Sequence, residues 1–138
     1  RKVKIRNPKS TRPWQHVFDV LRGYLYLAVN LKRKNNINGQ IFNFGPNNEK
    51  NKTVLDLLKI MRSGWKNASW KLTRSKNFRE AKLLKLNSNK SKKMLKWKCK
   101  LSLPKATSMT ISWYKNFYEK RNSIESFSLR QLQEYEKI

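Results

Sequence analysis

A single cysteine, a single histidine and four glycines are scarce in this 138-residue chain, and each scarcity excludes something. Cys99 has no second cysteine to pair with, and one cysteine plus one histidine cannot build a zinc site, so no metal site is expected. No apolar run approaches the ~18–20 residues of a membrane span and no secretory signal opens the sequence, so a cytoplasmic protein with no membrane partner is expected. Glycines 23, 39, 45 and 64 are too dispersed for the glycine-rich turn with which doubly wound enzymes meet a dinucleotide pyrophosphate. A Tyr-x-x-x-Lys pair, a P-loop, a nucleophile elbow and a metal-ligand cluster are also missing. The chain by itself is therefore expected to carry no catalytic residue.

Positive charge and aromatic rings are abundant. Lys and Arg number 33 against 8 Asp and Glu, a formal charge of +25. That balance is the footprint of a nucleic-acid binder. The lysines are nevertheless spread along the whole chain and accompany many Asn and Ile residues, the pattern of a drifted, solvated surface. Aromatics at 12% are too many for a disordered polycation, so one domain spanning 1–138 with a modest core is expected. The sequence opens on Arg1 without a methionine, which suits a piece of a larger protein.

Spacing predicts a mixed α/β class. Residues 3–5 form a strand candidate, and Val17, Val20, Leu21, Tyr24, Leu27, Ala28 and Leu31 recur at helical intervals. Ile41 to Phe44 suggests a compact strand stopped by Gly45-Pro46-Asn47-Asn48. Thr53 with Asp56 makes a capping box for a helix burying Val54, Leu57, Leu58 and Met61 and ending at Gly64 as its C′ residue. Residues 68–72 and 82–86 suggest two more strands. Ser88 is placed to cap a short helix through Leu95, and Ser102 a longer one with Ala106, Thr110, Trp113, Tyr114 and Phe117 on one face. A last amphipathic segment runs from Ser128 to Tyr135. Trp65, Trp70, Trp97 and Trp113 are expected to pack, and Cys99 to be a surface or half-buried residue without nucleophilic role.

The most informative stretch is Arg6-Asn7-Pro8-Lys9-Ser10-Thr11-Arg12-Pro13-Trp14-Gln15-His16-Val17. Arg12 precedes a proline and so avoids the helical region, and its planar guanidinium can fork two hydrogen bonds onto a phosphate. The segment resembles the block R-N-P-x-x-T-R-P-W-Q-H-V of CDP-glucose 4,6-dehydratases, of the extended short-chain dehydrogenase/reductase superfamily. Further matches follow in register: Gly23-Tyr24-Leu25 with Leu27-Ala28, Phe42-Asn43-Phe44-Gly45-Pro46, Glu80-Ala81 with Leu84-Lys85-Leu86, Trp113-Tyr114-Lys115, and Gln131 with Tyr135. Asn87 stands where the family has an acid, and Lys96 and Cys99 where it has glycine and proline.

The resemblance implies the C-terminal, substrate-binding part of such an enzyme, with the Rossmann half that holds NAD and the catalytic residues lying outside this sequence. It implies CDP-glucose as partner, and a parent enzyme that is a lyase and a homo-oligomer, acting in deoxysugar and lipopolysaccharide O-antigen biosynthesis. Arg12 and Asn43 would approach the diphosphate and Glu80 the ribose hydroxyls, with Trp14 and His16 further substrate-binding candidates. His16, alone at a helix start, reads more readily as a hydrogen-bonded structural group than as an acid or base. Apolar patches are expected where the chain packs on its parent sheet. Other nucleotide-sugar epimerases or dehydratases, a degenerate pseudoenzyme and a basic nucleic-acid-binding module remain the alternatives, although nucleic acid is not the expected partner.

Overall fold

The computed structural model describes residues 2–33, 35–47, 52–73, 81–119 and 123–138. Within them five helices accompany one small sheet: β1 (Val3–Ile5), α1 (Val17–Arg33), a 3₁₀ turn (Asn35–Ile37), α2 (Val54–Gly64), β2 (Trp70–Leu72), α3 (Asn89–Leu95), α4 (Leu103–Glu119) and α5 (Ile124–Glu136). β1 and β2 pair in parallel, Val3 opposite Trp70 and Ile5 opposite Leu72. The class is mixed α/β, as predicted, with helix dominating. Glu80 and Asn48 lie outside the described residues.

Local signals decide where several elements start and stop. Thr53 and Asp56 form the full capping box: the Thr53 hydroxyl accepts from the Asp56 amide, and the Asp56 carboxylate accepts from the Thr53 amide. Gly64 is the last residue of α2 and lacks the left-handed backbone of a C′ glycine. Its lack of a side chain serves packing instead, since a Cβ there would sit 3.1 Å from the Ile111 side chain of α4. The left-handed cap falls at Lys96, φ 57°, after α3. A side chain there crowds the backbone. Lys96→Gly is accordingly expected to raise unfolding stability by about 1 kcal/mol, readable as a higher urea midpoint at unchanged slope.

Some predicted elements take another form. Ile41 to Phe44 makes no ladder with any strand among the described residues. Side chains satisfy its backbone instead: the Ser91 hydroxyl donates to the Asn43 carbonyl (2.6 Å) and the Gln15 amide to that of Phe44 (2.8 Å). The 68–72 strand shortens to Trp70–Leu72, and 82–86 contributes only a bridge between Leu83 and Thr11. Ser88 precedes α3 but does not cap it; its hydroxyl donates to the Gly45 carbonyl, while Asn87 Oδ1 accepts from the Asn89 amide. α5 begins four residues before the predicted Ser128.

Two apolar clusters hold the fold. The first gathers Ile37, Phe44, Leu95, Trp97 and Cys99 beneath α1 and α3, so Cys99 is buried and not at the surface. Gly23 on α1 lets this cluster close, its missing Cβ being replaced by the Phe44 ring. The second joins Leu101, Ala106, Met109 and Tyr135. Among the tryptophans, Trp97 is fully buried and Trp113 stacks on Phe117 at 5.4 Å while donating to the Ser128 hydroxyl. Tyr114, predicted on the packed face of α4, is exposed. The face predicted as buried on α2 is only half-buried.

Much of the apolar surface of α1 points outward, although Leu27 packs against the first cluster. Val17, Leu21, Tyr24, Leu25, Val29 and Leu31 are each 40–66% exposed. The helix turns a different face inward, centred on Asp19 and Gly23. No helix among the described residues is long and apolar enough to cross a membrane.

Candidate functional site

The segment from Pro8 to His16 is where distant parts of the chain converge. Backbone bonds run from the Leu55 amide to Pro8 (3.0 Å), from the Val54 amide to Ser10 (2.9 Å) and from the Thr11 amide to Lys82 (2.9 Å). The Trp14 amide reaches back to the Arg12 carbonyl at 2.9 Å, closing a tight turn over Pro13. A chain so pinned presents its side chains in fixed directions.

Arg12 is half-buried. Its Nη1 donates to the Thr11 carbonyl at 2.8 Å and to the Ala81 carbonyl at 3.1 Å, which fixes one edge of the guanidinium on the 81–83 segment. Asn43 lies at the other end of that segment: its Nδ2 is 3.5 Å from the Asn87 carbonyl, and its side chain is exposed. The 81–88 stretch thus runs past both residues. Glu80 adjoins this stretch in sequence and is outside the described residues.

Trp14 and His16 each make a hydrogen bond within the fold. The Trp14 indole N–H donates to the Lys52 carbonyl at 3.2 Å. His16 is buried at 6% exposure and sits just before α1, where its Nδ1 accepts from the Phe18 amide at 3.3 Å. That makes it the helix N-cap in place of the usual Ser, Thr, Asp or Asn. An accepting Nδ1 requires a neutral ring, and burial lowers the His16 pKa, partly offset by the charge of Asp19. The neutral form is favoured in the folded protein, so its contribution is full above the unfolded value of about 6.5 and is lost as pH falls below it. As the chain has no other histidine, acidification from pH 7 to 5.5 is expected to lower the thermal midpoint, and His16→Asn, which keeps a cap, to flatten that fall. An equally steep fall in the variant would place the acid sensitivity elsewhere.

Sequence reasoning missed Asp19. It is fully buried, with Oδ1 accepting from the Lys100 amide and the Tyr135 hydroxyl, both at 2.8 Å. Its Oδ2 accepts from the Leu101 amide at 3.3 Å and faces the Cys99 thiol at 3.1 Å. Arg22, 3.9 Å away, supplies the counter-charge and donates to Tyr135 and to the Lys98 carbonyl. This carboxylate ties α1 to the 97–101 segment and to α5. Burial, then the Asp19 contact, pushes the Cys99 thiol up to about 12 and raises the Tyr135 phenol as well, so neither ionises near neutral pH. The one outward signal was an acid in the first turn of a helix, which reads as an ordinary dipole partner.

Among the described residues the glycines do not form a dinucleotide-binding turn. Gly23 and Gly45 are spoken for by Phe44 and Leu86, whose atoms lie 2.6 and 2.8 Å from where a Cβ would be, and Gly64 by Ile111. None opens a helix toward a pyrophosphate as a phosphate-binding turn must. Among the described residues no group of three His, Cys, Asp or Glu side chains could hold a metal ion.

No family model matches the sequence. The CDP-glucose 4,6-dehydratase of Salmonella typhimurium is 37% identical over 114 residues, covering 82% of this chain and 32% of that protein. UDP-glucuronic acid 4-epimerase from Bacillus cereus shares the fold: its complex with UDP-glucuronic acid and NAD superposes with a TM-score of 0.71 at 21% identity, over 86% of this chain and 36% of that one. Its complex with NAD alone gives 0.68 at 20%. The chain thus spans about a third of the length of these relatives. Likeness in sequence to a nucleotide-sugar dehydratase, and in fold to a nucleotide-sugar epimerase, supports the extended short-chain dehydrogenase/reductase superfamily for this chain.

Proposed function

We propose that this chain is the nucleotide-sugar-binding part of a CDP-glucose 4,6-dehydratase. The observation that carries the reading is the Arg6 to Val17 block, which resembles the dehydratase motif and is also the hub on which residues 52–55 and 81–83 converge. Arg12 and Asn43 take the diphosphate, and Glu80 the ribose hydroxyls. Trp14 and His16 serve the site by holding this segment against α2 and α1. A planar, anchored guanidinium suits a diphosphate because it offers parallel donors whose direction is already set.

On this reading NAD and the acid/base residues belong to another part of the enzyme, and the outward apolar stripe of α1 is the surface which that part covers. NAD, bound there, would accept and return a hydride during loss of water from CDP-glucose; this chain orients the sugar nucleotide for that step. The test joins this chain to the NAD-binding half of a related dehydratase and follows formation of the 4-keto-6-deoxy sugar. Turnover of CDP-glucose in preference to UDP-glucose is expected. A folded hybrid that binds NAD and turns over neither would contradict the proposal.

A further inference from the structure

Arg12 and Asn43 sit on separate segments that no strand ladder joins. A hydrogen bond directly joins residues 8–16 to residues 40–47: Gln15 Nε2 donates to the Phe44 carbonyl at 2.8 Å. Gln15 lies three residues beyond Arg12, and Phe44 immediately follows Asn43. The bond is part-buried, and the Phe44 ring is locked between Gly23 and Trp97, so the tie is anchored at its far end. The Asn43 carbonyl is itself held by the Ser91 hydroxyl at 2.6 Å.

Among the described residues, Gln15 Oε1 is buried without a hydrogen-bond partner. Gln15 also lines a crevice of about 180 Å³ whose other walls include Trp14, Leu57, Met61, Ala106 and Ile111. A buried acceptor left unpaired among such groups costs stability. The amide therefore serves through its donor, the Nε2 bond to the Phe44 carbonyl, and not through Oε1.

We infer that Gln15 is a positioning residue which sets the spacing between the Arg12 and Asn43 segments. This rests on the reading of those two residues as the diphosphate grip. Two ligand groups on unpaired segments act together only if their separation is held to a fraction of an ångström, and one amide fixed at both ends supplies that constraint. Gln15→Met keeps the length and removes the donor. It trades one unpaired acceptor, Oε1, for another, the Phe44 carbonyl, so the fold is expected to survive with its melting point nearly unchanged.

The test measures CDP and cytidine affinity for the 138-residue chain, for Gln15→Met and for Arg12→Met. The ratio of the two affinities reports the diphosphate grip, and a general loosening of the fold would weaken both ligands together. Gln15→Met is expected to lower the ratio roughly tenfold while cytidine binding stays the same. A wild-type ratio in Gln15→Met beside a collapsed ratio in Arg12→Met would overturn the role of Gln15 and leave the site intact. No preference for CDP over cytidine in the wild-type chain would instead remove the site reading itself. Should Gln15→Met fail to fold, Gln15→Asn, which retains the amide but shortens its reach, is judged on the same ratio.

Discussion

Asp19→Ala is expected to destabilise the fold by about 3–5 kcal/mol, the largest effect of any single substitution considered. The carboxylate is fully buried and accepts from two backbone amides and a phenol while facing a thiol, with Arg22 as counter-ion. Removing it takes the acceptor from the Lys100 and Leu101 amides and the Tyr135 hydroxyl, and the counter-charge from Arg22. Each lost partner leaves a desolvated donor costing on the order of 1–3 kcal/mol, although relaxation and water entry keep the sum below simple addition. Against a total stability of roughly 5–15 kcal/mol for a domain of this kind, the variant would sit close to the edge of folding.

Equilibrium urea unfolding reads the loss directly, and Cys99 offers a second probe. The wild-type thiol is buried and held protonated, so a thiol reagent at pH 8 should label it only as fast as the protein opens. In Asp19→Ala the same reagent is expected to label it much faster. A loss below about 1 kcal/mol, with Cys99 still protected, would show that the 97–101 segment is held by apolar packing around Trp97 and not by the carboxylate.

The second large effect concerns Arg12. Arg12→Met is expected to weaken CDP binding by about 10- to 100-fold, the range that follows from losing charge-assisted hydrogen bonds worth roughly 1.5–3 kcal/mol. Stability should change little, because the Nη1 contacts to the Thr11 and Ala81 carbonyls are partly open to water. Arg12→Lys should recover only a small part of the affinity. A lysine keeps the charge but offers a single point donor where the arginine presents a planar fork already turned by two carbonyls. Full affinity in the lysine variant would mean that the site needs positive charge and no particular geometry, which with a net charge of +25 many residues could supply.

What was legible in the sequence followed from interactions between near neighbours. Thr53 and Asp56 are three residues apart, and their reciprocal cap forms as read. The helical spacing of α1 and α4 also holds. Periodicity, however, states that a helix has an apolar face without stating what covers it, so the outward stripe of α1 could not be told from a core-facing one. Ile41 to Phe44, stopped by Gly45-Pro46, suggested a compact strand, yet a strand exists only beside a partner, and here the Gln15 and Ser91 side chains take its carbonyls. Asp19 and its partners are about 80 to 116 residues apart, a distance no local pattern spans.

The site shows the same division. The Arg6 to Val17 block announced itself as a unit, whereas the separate tasks of Trp14, Gln15 and His16 became visible only with Lys52, Phe44 and the start of α1 in place. The pairing of Gln131 and Tyr135, faint in the sequence, proves structural. Gln131 donates to the Met109 carbonyl at 2.8 Å and so joins α5 to α4, and Tyr135 donates to Asp19.

Titration of CDP into the folded chain at about 0.15 M salt, followed by calorimetry, tests the central claim most directly, since at that ionic strength loose attraction to a polycation is largely screened. The expected result is saturable one-to-one binding, displaced by CDP-glucose and unaffected by duplex DNA. Absence of CDP binding, or tight DNA binding that CDP does not compete, would contradict the assignment and favour a nucleic-acid partner.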